Sequence, residues 1–255
     1  MLLTLDMGNT NITIGVFDGE KLIFESRVAT DRTKMEDQYA VEFMDIFRLY
    51  KVDVHEFEGA IISSVVPPLD TAIRRAVKKV TGMTPIIVGP GTKTGINIRI
   101  DNPAQLGADL LVGAVAAVSQ YGAPCIIWDL GTATTVSVID RDGHFRGGAI
   151  MAGLGTSLDS LISHASLLQR ISIEAPPHVI GSNTIESMQS GAVFGTAAML
   201  EGMCDRIEAE LGYPATVVAT GGLGREIVPY CSRPIQYDDD LLLVGLRLVY
   251  EKNKK

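Results

Sequence analysis

The chain repeats itself. Leu2–Phe17 reads LLTLDMGNTNITIGVF and Cys125–Ile139 reads CIIWDLGTATTVSVI; Asp6 and Asp129 lie 123 positions apart, as do Gly8 and Gly131. Each copy is an apolar run, then Asp-x-Gly with small hydroxyl or amide residues, then a β-branched run. That pattern is a hairpin whose tight turn exposes backbone N–H groups beside a carboxylate. The duplication continues in order. GAIISSVVPP (59–68) is matched by TVVATGGLGR (216–225), and TPIIV (84–88) by RPIQY (233–237). Leu110-Leu111-Val112-Gly113 is matched by Leu242-Leu243-Val244-Gly245. The expected fold is therefore α/β, with two homologous halves (1–121 and 122–255) joined by the short segment Tyr121–Pro124 and separated by a cleft.

The bulk numbers exclude several classes. A net charge of −8 without a basic stripe argues against a nucleic-acid partner. No apolar run approaches ~18 residues, so no membrane span is expected. Asp6 interrupts a short apolar start with no basic flank, which does not read as a signal peptide. The cysteines, Cys125, Cys204 and Cys231, are scattered among apolar neighbours and fit reduced core thiols in a cytoplasm. The histidines are far apart, which argues against zinc.

Periodicity predicts strands over 2–17, 21–29 and 59–65 and a helix over 36–51 carried by Tyr39, Phe43, Ile46, Phe47 and Tyr50. Pro67-Pro68 opens a second helix. Asn102 reads as the cap of a third, with Pro103 in its first turn and Leu106, Leu110, Ala114 and Ala117 on one face. In the second half, a hairpin turns at 140–143 and Gly147–Gly155 reads as a flexible stretch. Thr156 or Ser157 then caps a helix, and Asn183 with Glu186 reads as a capping box opening the longest helix, 184–211. Gly191 and Gly195, one turn apart on it, fit either close packing within the subunit or a subunit interface.

The chemistry points to phosphate. Gly89–Thr94 fails as a P-loop because Thr92 stands where glycine must precede lysine, and no dinucleotide fingerprint opens a helix. The paired Asp-x-Gly turns remain. Their glycines let backbone approach phosphate oxygens, and Asn9, Thr10, Asn11, Thr132 and Thr134 add donors. Asp6 and Asp129 can hold magnesium or a monovalent ion. Gly221 and Gly222, at a strand end, fit either a flat base or ribose against backbone or a plain strand-to-helix turn. Asp109, beside an apolar helix face, is either a surface carboxylate or the base an alcohol acceptor requires.

These residues carry a resemblance over essentially the whole length. DMGNTN (6–11), TDRTKMEDQY (30–39), SSVVPP (63–68), VGPGTKTG (88–95), Asn102-Pro103, Gly107-Ala108-Asp109, DLGTATT (129–135), NTIESMQSG (183–191) and ATGGL (219–223) are similar to type III pantothenate kinases, of the acetate kinase/sugar kinase/Hsp70/actin superfamily. The resemblance implies that both halves are ribonuclease H-like (actin-like ATPase) units. It implies ATP-dependent phosphorylation of the pantothenate primary hydroxyl, the first step toward coenzyme A, by a cytoplasmic homodimer. It further implies that Asp6, Met7, Gly8, Asn9, Thr10, Asn11, Ile12, Thr13 and Thr132 bind ATP with Mg2+, and that Asp129 holds potassium or ammonium. Gly107, Ala108 and Asp109 then line the pantothenate pocket, Asp109 takes the hydroxyl proton, and Thr184 reaches the substrate of the partner subunit.

The acceptor side departs from the family pattern. Leu110 replaces an arginine and Ile100 an aromatic residue; separately, the glycine-rich Met151–Gly155 lacks the usual proline. Losing a guanidinium removes a partner for the pantothenate carboxylate. A different small alcohol as acceptor, or a non-catalytic regulatory homologue that keeps the nucleotide clamp, are the alternatives.

Overall fold

The computed structural model describes residues 1–254. Each copy of the repeat builds a sheet around one strand that is buried on both faces. In the first copy that strand is Leu2–Met7 (β1), and every residue of it is buried except Asp6, which is half-buried. It pairs antiparallel with Asn11–Asp18 (β2), which pairs with Lys21–Ala29 (β3), and parallel with Gly59–Ser64 (β4), which leads to Ile86–Ile87 (β5). The sheet order is β3-β2-β1-β4-β5. Near-continuous apolar runs such as LLTL and AII suit strands covered on both sides.

The second sheet repeats this plan. After Asn97–Ile98 (β6) come Cys125–Leu130 (β7), Ala133–Ile139 (β8), His144–Ala152 (β9), Thr216–Thr220 (β10) and Gln236–Tyr237 (β11). Their order is β11-β10-β7-β8-β9, with β6 added beside β9. Again every residue of the central strand is buried except the aspartate, Asp129.

Helices cover these faces. Glu36–Leu49 (α1) and Pro67–Thr81 (α2) bury Tyr39, Phe43, Phe47, Leu69 and Ile73 against Leu3, Leu5 and Met7 of β1. Ala108–Tyr121 (α3) supplies Val112 and Val115 to the other face of the first sheet. In the second sheet Trp128 packs with Val193, Leu200 and Cys204 of the longest helix and with Ile227 of the short helix Gly224–Ile227 (α6).

Packing divides the chain differently from a single cut after residue 121. One compact unit comprises Met1–Ile96, Asn102–Ala116 and Leu241–Lys255; the other comprises Asn97–Asp101 and Ala117–Asp240. The reason is visible in Leu241–Asn253 (α7). Leu243, Leu246 and Val249 are buried with Leu2, Phe17 and Ile61 of the first unit, and each fully buried aliphatic side chain contributes about 1.5–3 kcal/mol. Gly245 lies against the Val112 carbonyl, where a methyl group would collide. Residues 97–101 join the second unit because β6 extends its sheet through β9.

Several local expectations are corrected. Asn102 caps only a 3₁₀ turn, Pro103–Gln105, accepting from Ala104 N at 3.3 Å; Leu106 is extended and α3 starts afresh at Ala108. Gly147–Ala152 is strand rather than flexible loop, with Gly148 pressed on the Val136 carbonyl. The following helix, Leu154–His164 (α4), opens from Gly153, not Thr156 or Ser157. Thr184–Leu211 (α5) matches its expected span. Asn183 Oδ1 accepts from Glu186 N at 3.0 Å, but the Glu186 carboxylate bonds Ser182 N and Oγ instead of closing a reciprocal box. Gly191 and Gly195 are exposed and a methyl group on either would meet nothing, so close packing within the chain is not their role. No helix among the described residues is long and apolar enough to cross a membrane.

Candidate active site

Both Asp-x-Gly turns form, and each is tied down by the residue that follows the third strand of its copy. In the first, Gly8 N donates to Asn11 O at 3.0 Å. Thr30, just past β3, donates its N–H to Thr10 O at 2.9 Å and its hydroxyl to Gly8 O at 2.7 Å. In the second, Gly131 N donates to Ala133 O at 3.1 Å, and Gly153 N and the Thr156 hydroxyl donate to Thr132 O at 3.1 and 2.9 Å. Thr30 and Gly153 are again 123 positions apart. With those carbonyls engaged, Asn9, Thr10, Asn11 and Thr132 stand exposed at the tips. Met7 and Ile12 are fully buried, and Thr13 is half-buried in β2, so the first two support the loop from the core. Thr134, read above as a donor, is buried in β8.

Each turn carboxylate has a hydroxyl residue in register on the parallel neighbour strand: Ser63 beside Asp6, Thr220 beside Asp129. Ser63 Oγ is buried and has no hydrogen-bond partner. Gly221 backs Asp129 directly. Its φ is +91°, and a methyl group there would overlap Asp129 Oδ1 and the Leu130 backbone. The Tyr237 hydroxyl donates to Gly221 O at 3.2 Å; burial foremost, and then Asp239, push that phenol up to about 12. Gly222 is exposed beside it. An orphaned hydroxyl beside Asp6, and a backbone cradle that a side chain would fill beside Asp129, fit oxygen-ligated cations at both carboxylates.

Asp109 is the second residue of α3 and half-buried. Its Oδ1 accepts from Leu110 N at 2.8 Å. Burial pushes the carboxyl above the ordinary carboxylate range, opposed by the N–H groups of Leu110 and of Asp109 itself. Gly107 makes room: a methyl group there would overlap Asp109 Oδ1. Ala108 packs against the core under α3. The Leu110 N–H, not its side chain, reaches Asp109, so the departure from arginine leaves this bond intact. Thr184, the first residue of α5, is exposed.

A family model for type III pantothenate kinase matches residues 2–206. A curated type III pantothenate kinase from Exiguobacterium sp. is 44% identical over 255 residues, covering all of both chains, and one from Moorella thermoacetica is 42% identical over 253 residues, covering 99% of this chain and 100% of the relative. The chain belongs to the type III pantothenate kinase family. Its fold is shared with solved structures of low identity. Component A of (R)-2-hydroxyglutaryl-CoA dehydratase from Acidaminococcus fermentans aligns with a TM-score of 0.60 at 14% identity, covering 98% of each chain. The inorganic polyphosphate/ATP-glucomannokinase from Arthrobacter sp. aligns at 0.50 and 17%, covering 98% of this chain and 97% of that one. Both halves are thus ribonuclease H-like units of the actin-like ATPase kind.

Two further family motifs are fastened to neighbouring elements. The Gly89–Gly95 loop is fastened to α7, where Lys93 N donates to Asn253 Oδ1 at 3.0 Å and Asn253 Nδ2 to Lys93 O at 2.8 Å. The TDRTKMEDQY segment contains residues that motif reading left unassigned. Tyr39 is buried, and its hydroxyl donates to Asp31 O and accepts from Asp31 N at 2.8 and 2.9 Å. Arg32 Nη2 donates to Asn9 Oδ1 at 2.7 Å. Asp140, Asp142 and His144 form a group of potential metal ligands, but Asp140 already accepts from Asp142 N, His144 N and Arg146 in closing the β8–β9 hairpin. The three cysteines are free thiols.

Proposed function

We propose that this chain transfers the γ-phosphoryl group of ATP to the primary hydroxyl of pantothenate, giving 4'-phosphopantothenate and ADP. The observation that carries the reading is the end-to-end match to type III pantothenate kinases in a chain that keeps a half-buried carboxylate at Asp109. Asp109 accepts the hydroxyl proton as the alcohol oxygen bonds to the γ-phosphorus in line with the departing bridging oxygen. Burial raises the basicity of Asp109, which suits it to that task. The turn glycines and N–H groups, with Asn9, Thr10, Asn11 and Thr132, bind the phosphates. Gly221 and Gly222 offer backbone to the nucleoside. Asp6 would hold magnesium and Asp129 potassium or ammonium, and such cations offset the charge of the polyphosphate. Gly107 and Ala108 line the acceptor pocket.

The same reading makes the enzyme a cytoplasmic homodimer. The open Gly191/Gly195 side of α5 supports a second copy there, and the exposed Thr184 then serves the partner's substrate. Free thiols suit a reducing compartment.

The test is ADP release from purified protein over pantothenate and a set of other small alcohols, with and without potassium. Pantothenate-dependent turnover that potassium raises is expected. Turnover with a different alcohol only, or no acceptor-stimulated ATP consumption, would overturn the assignment.

A further inference from the structure

We propose that Arg32 is a phosphate-binding residue of the first Asp-x-Gly turn, supplying the positive charge that the turn itself lacks. The inference rests on the reading that this turn takes ATP. Asn9, Thr10, Asn11 and the backbone are neutral donors, and Asp6 is an acid, so beyond any bound metal ion the turn offers polyphosphate no positive charge of its own.

The segment after β3 delivers one from a fixed backbone. Thr30 bonds the turn twice, at Thr10 O and Gly8 O. Asp31 is held at both its N–H and carbonyl by the buried Tyr39 hydroxyl. The Asp31 carboxylate accepts from Thr33 Oγ1 at 2.6 Å and Thr33 N at 2.8 Å, bonds that also hold it below the ordinary carboxylate range. Between these anchors Arg32 is exposed and spends one donor on Asn9 Oδ1. Guanidinium carries five donors in a planar fork, so several stay available to phosphate oxygens.

The surrounding cations are neutralised where Arg32 is not. Arg27 pairs with Glu25, Lys34 with Glu42, and Arg75 and Lys79 with Glu36. Among the described residues no carboxylate pairs with Arg32. The equivalent position of the second copy, 123 residues on, is Gly155. Arg32 therefore has no counterpart at the matching position of the second copy. The simpler role, steadying Asn9 through a neutral hydrogen bond, needs no charge, and that difference decides the test.

Binding of ATP, ADP and adenosine is measured by calorimetry at two salt concentrations for the wild type and for Arg32→Ala, Arg32→Gln and Arg32→Lys. Thermal midpoints check folding, which an exposed side chain leaves intact. Arg32→Ala and Arg32→Gln are expected to weaken ATP by about tenfold or more, to leave adenosine unchanged and to flatten the salt dependence, while Arg32→Lys retains most of the affinity. Wild-type ATP affinity in Arg32→Ala, or full rescue by Arg32→Gln, overturns the proposal. Wild-type protein that binds ATP without phosphorylating pantothenate would instead defeat the kinase reading and leave Arg32 in place.

Discussion

Asp109 occupies a place where an ionised carboxylate is costly, and Gly107 keeps that place clear. A carboxyl raised in the folded state binds its proton more tightly than in the unfolded chain. Its favourable contribution is complete below the unfolded value and is lost as pH rises through the folded one. At neutral pH this carboxyl therefore weakens the fold relative to acid pH. Asp109→Asn is expected to bind ATP normally and to lose turnover by about 10²–10⁴-fold. Its thermal midpoint should exceed that of the wild type at neutral pH, with the gain shrinking in acid. The acid limb of the wild-type pH–rate profile should sit above the ordinary carboxylate range. Unchanged turnover would remove Asp109 from the chemistry. A gain in stability that persists at low pH would mean that charge is not its source.

At the scale of elements, two glycines make opposite demands. Gly107 is limited by the tip of a flexible side chain, and its own φ is not in the left-handed region. Gly107→Ala should cost turnover by displacing Asp109 while moving stability by less than about 1 kcal/mol. Gly221 is limited by backbone at φ +91°, so Gly221→Ala should cost about 1–3 kcal/mol and disturb Asp129 as well. Denaturant titration and steady-state rates on both variants separate these outcomes. Element by element, the paired hairpins and α5 were legible because their signals are local: Asp-x-Gly between β-branched runs, and an asparagine cap bonded to its own third residue. The break before α3 was not. Asn-Pro marks the start of a single 3₁₀ turn as well as that of an α-helix, and only Leu106 being extended shows which. Gly147–Gly155 misled because glycine density signals flexibility, whereas Gly148 and Gly153 are dictated by neighbouring carbonyls. Arg32 escaped notice because its partner, Asn9, is 23 residues away and no spacing rule links them.

For the whole molecule, the repeat predicted like architectures, and the matching strand orders bear that out. Packing follows apolar faces instead, which is how α7, late in the second copy, completes the first unit. Leu246 is fully buried there, so Leu246→Ala should cost about 2–5 kcal/mol. The chain passes between the two compact units four times, and this connectivity is expected to couple their unfolding. Circular dichroism and the fluorescence of Trp128, the only tryptophan and a core residue of the second unit, should therefore report one shifted transition in this variant. Two separated transitions, with only the dichroism moved, would show that the units melt on their own.

That last helix also sets a schedule for synthesis on the ribosome. Domains generally fold as they emerge, yet here one face of the first sheet, partly covered by Val112 and Val115 of α3, waits for the rest of its cover until residues 241–253 leave the exit tunnel. Nascent chains arrested shortly before Leu241 should be cut readily by protease within the opening strands, and those arrested well beyond Asn253 should resist. Until those residues emerge, the side of the first sheet carrying Leu2, Phe17 and Ile61 lacks the cover that Leu243, Leu246 and Val249 give it.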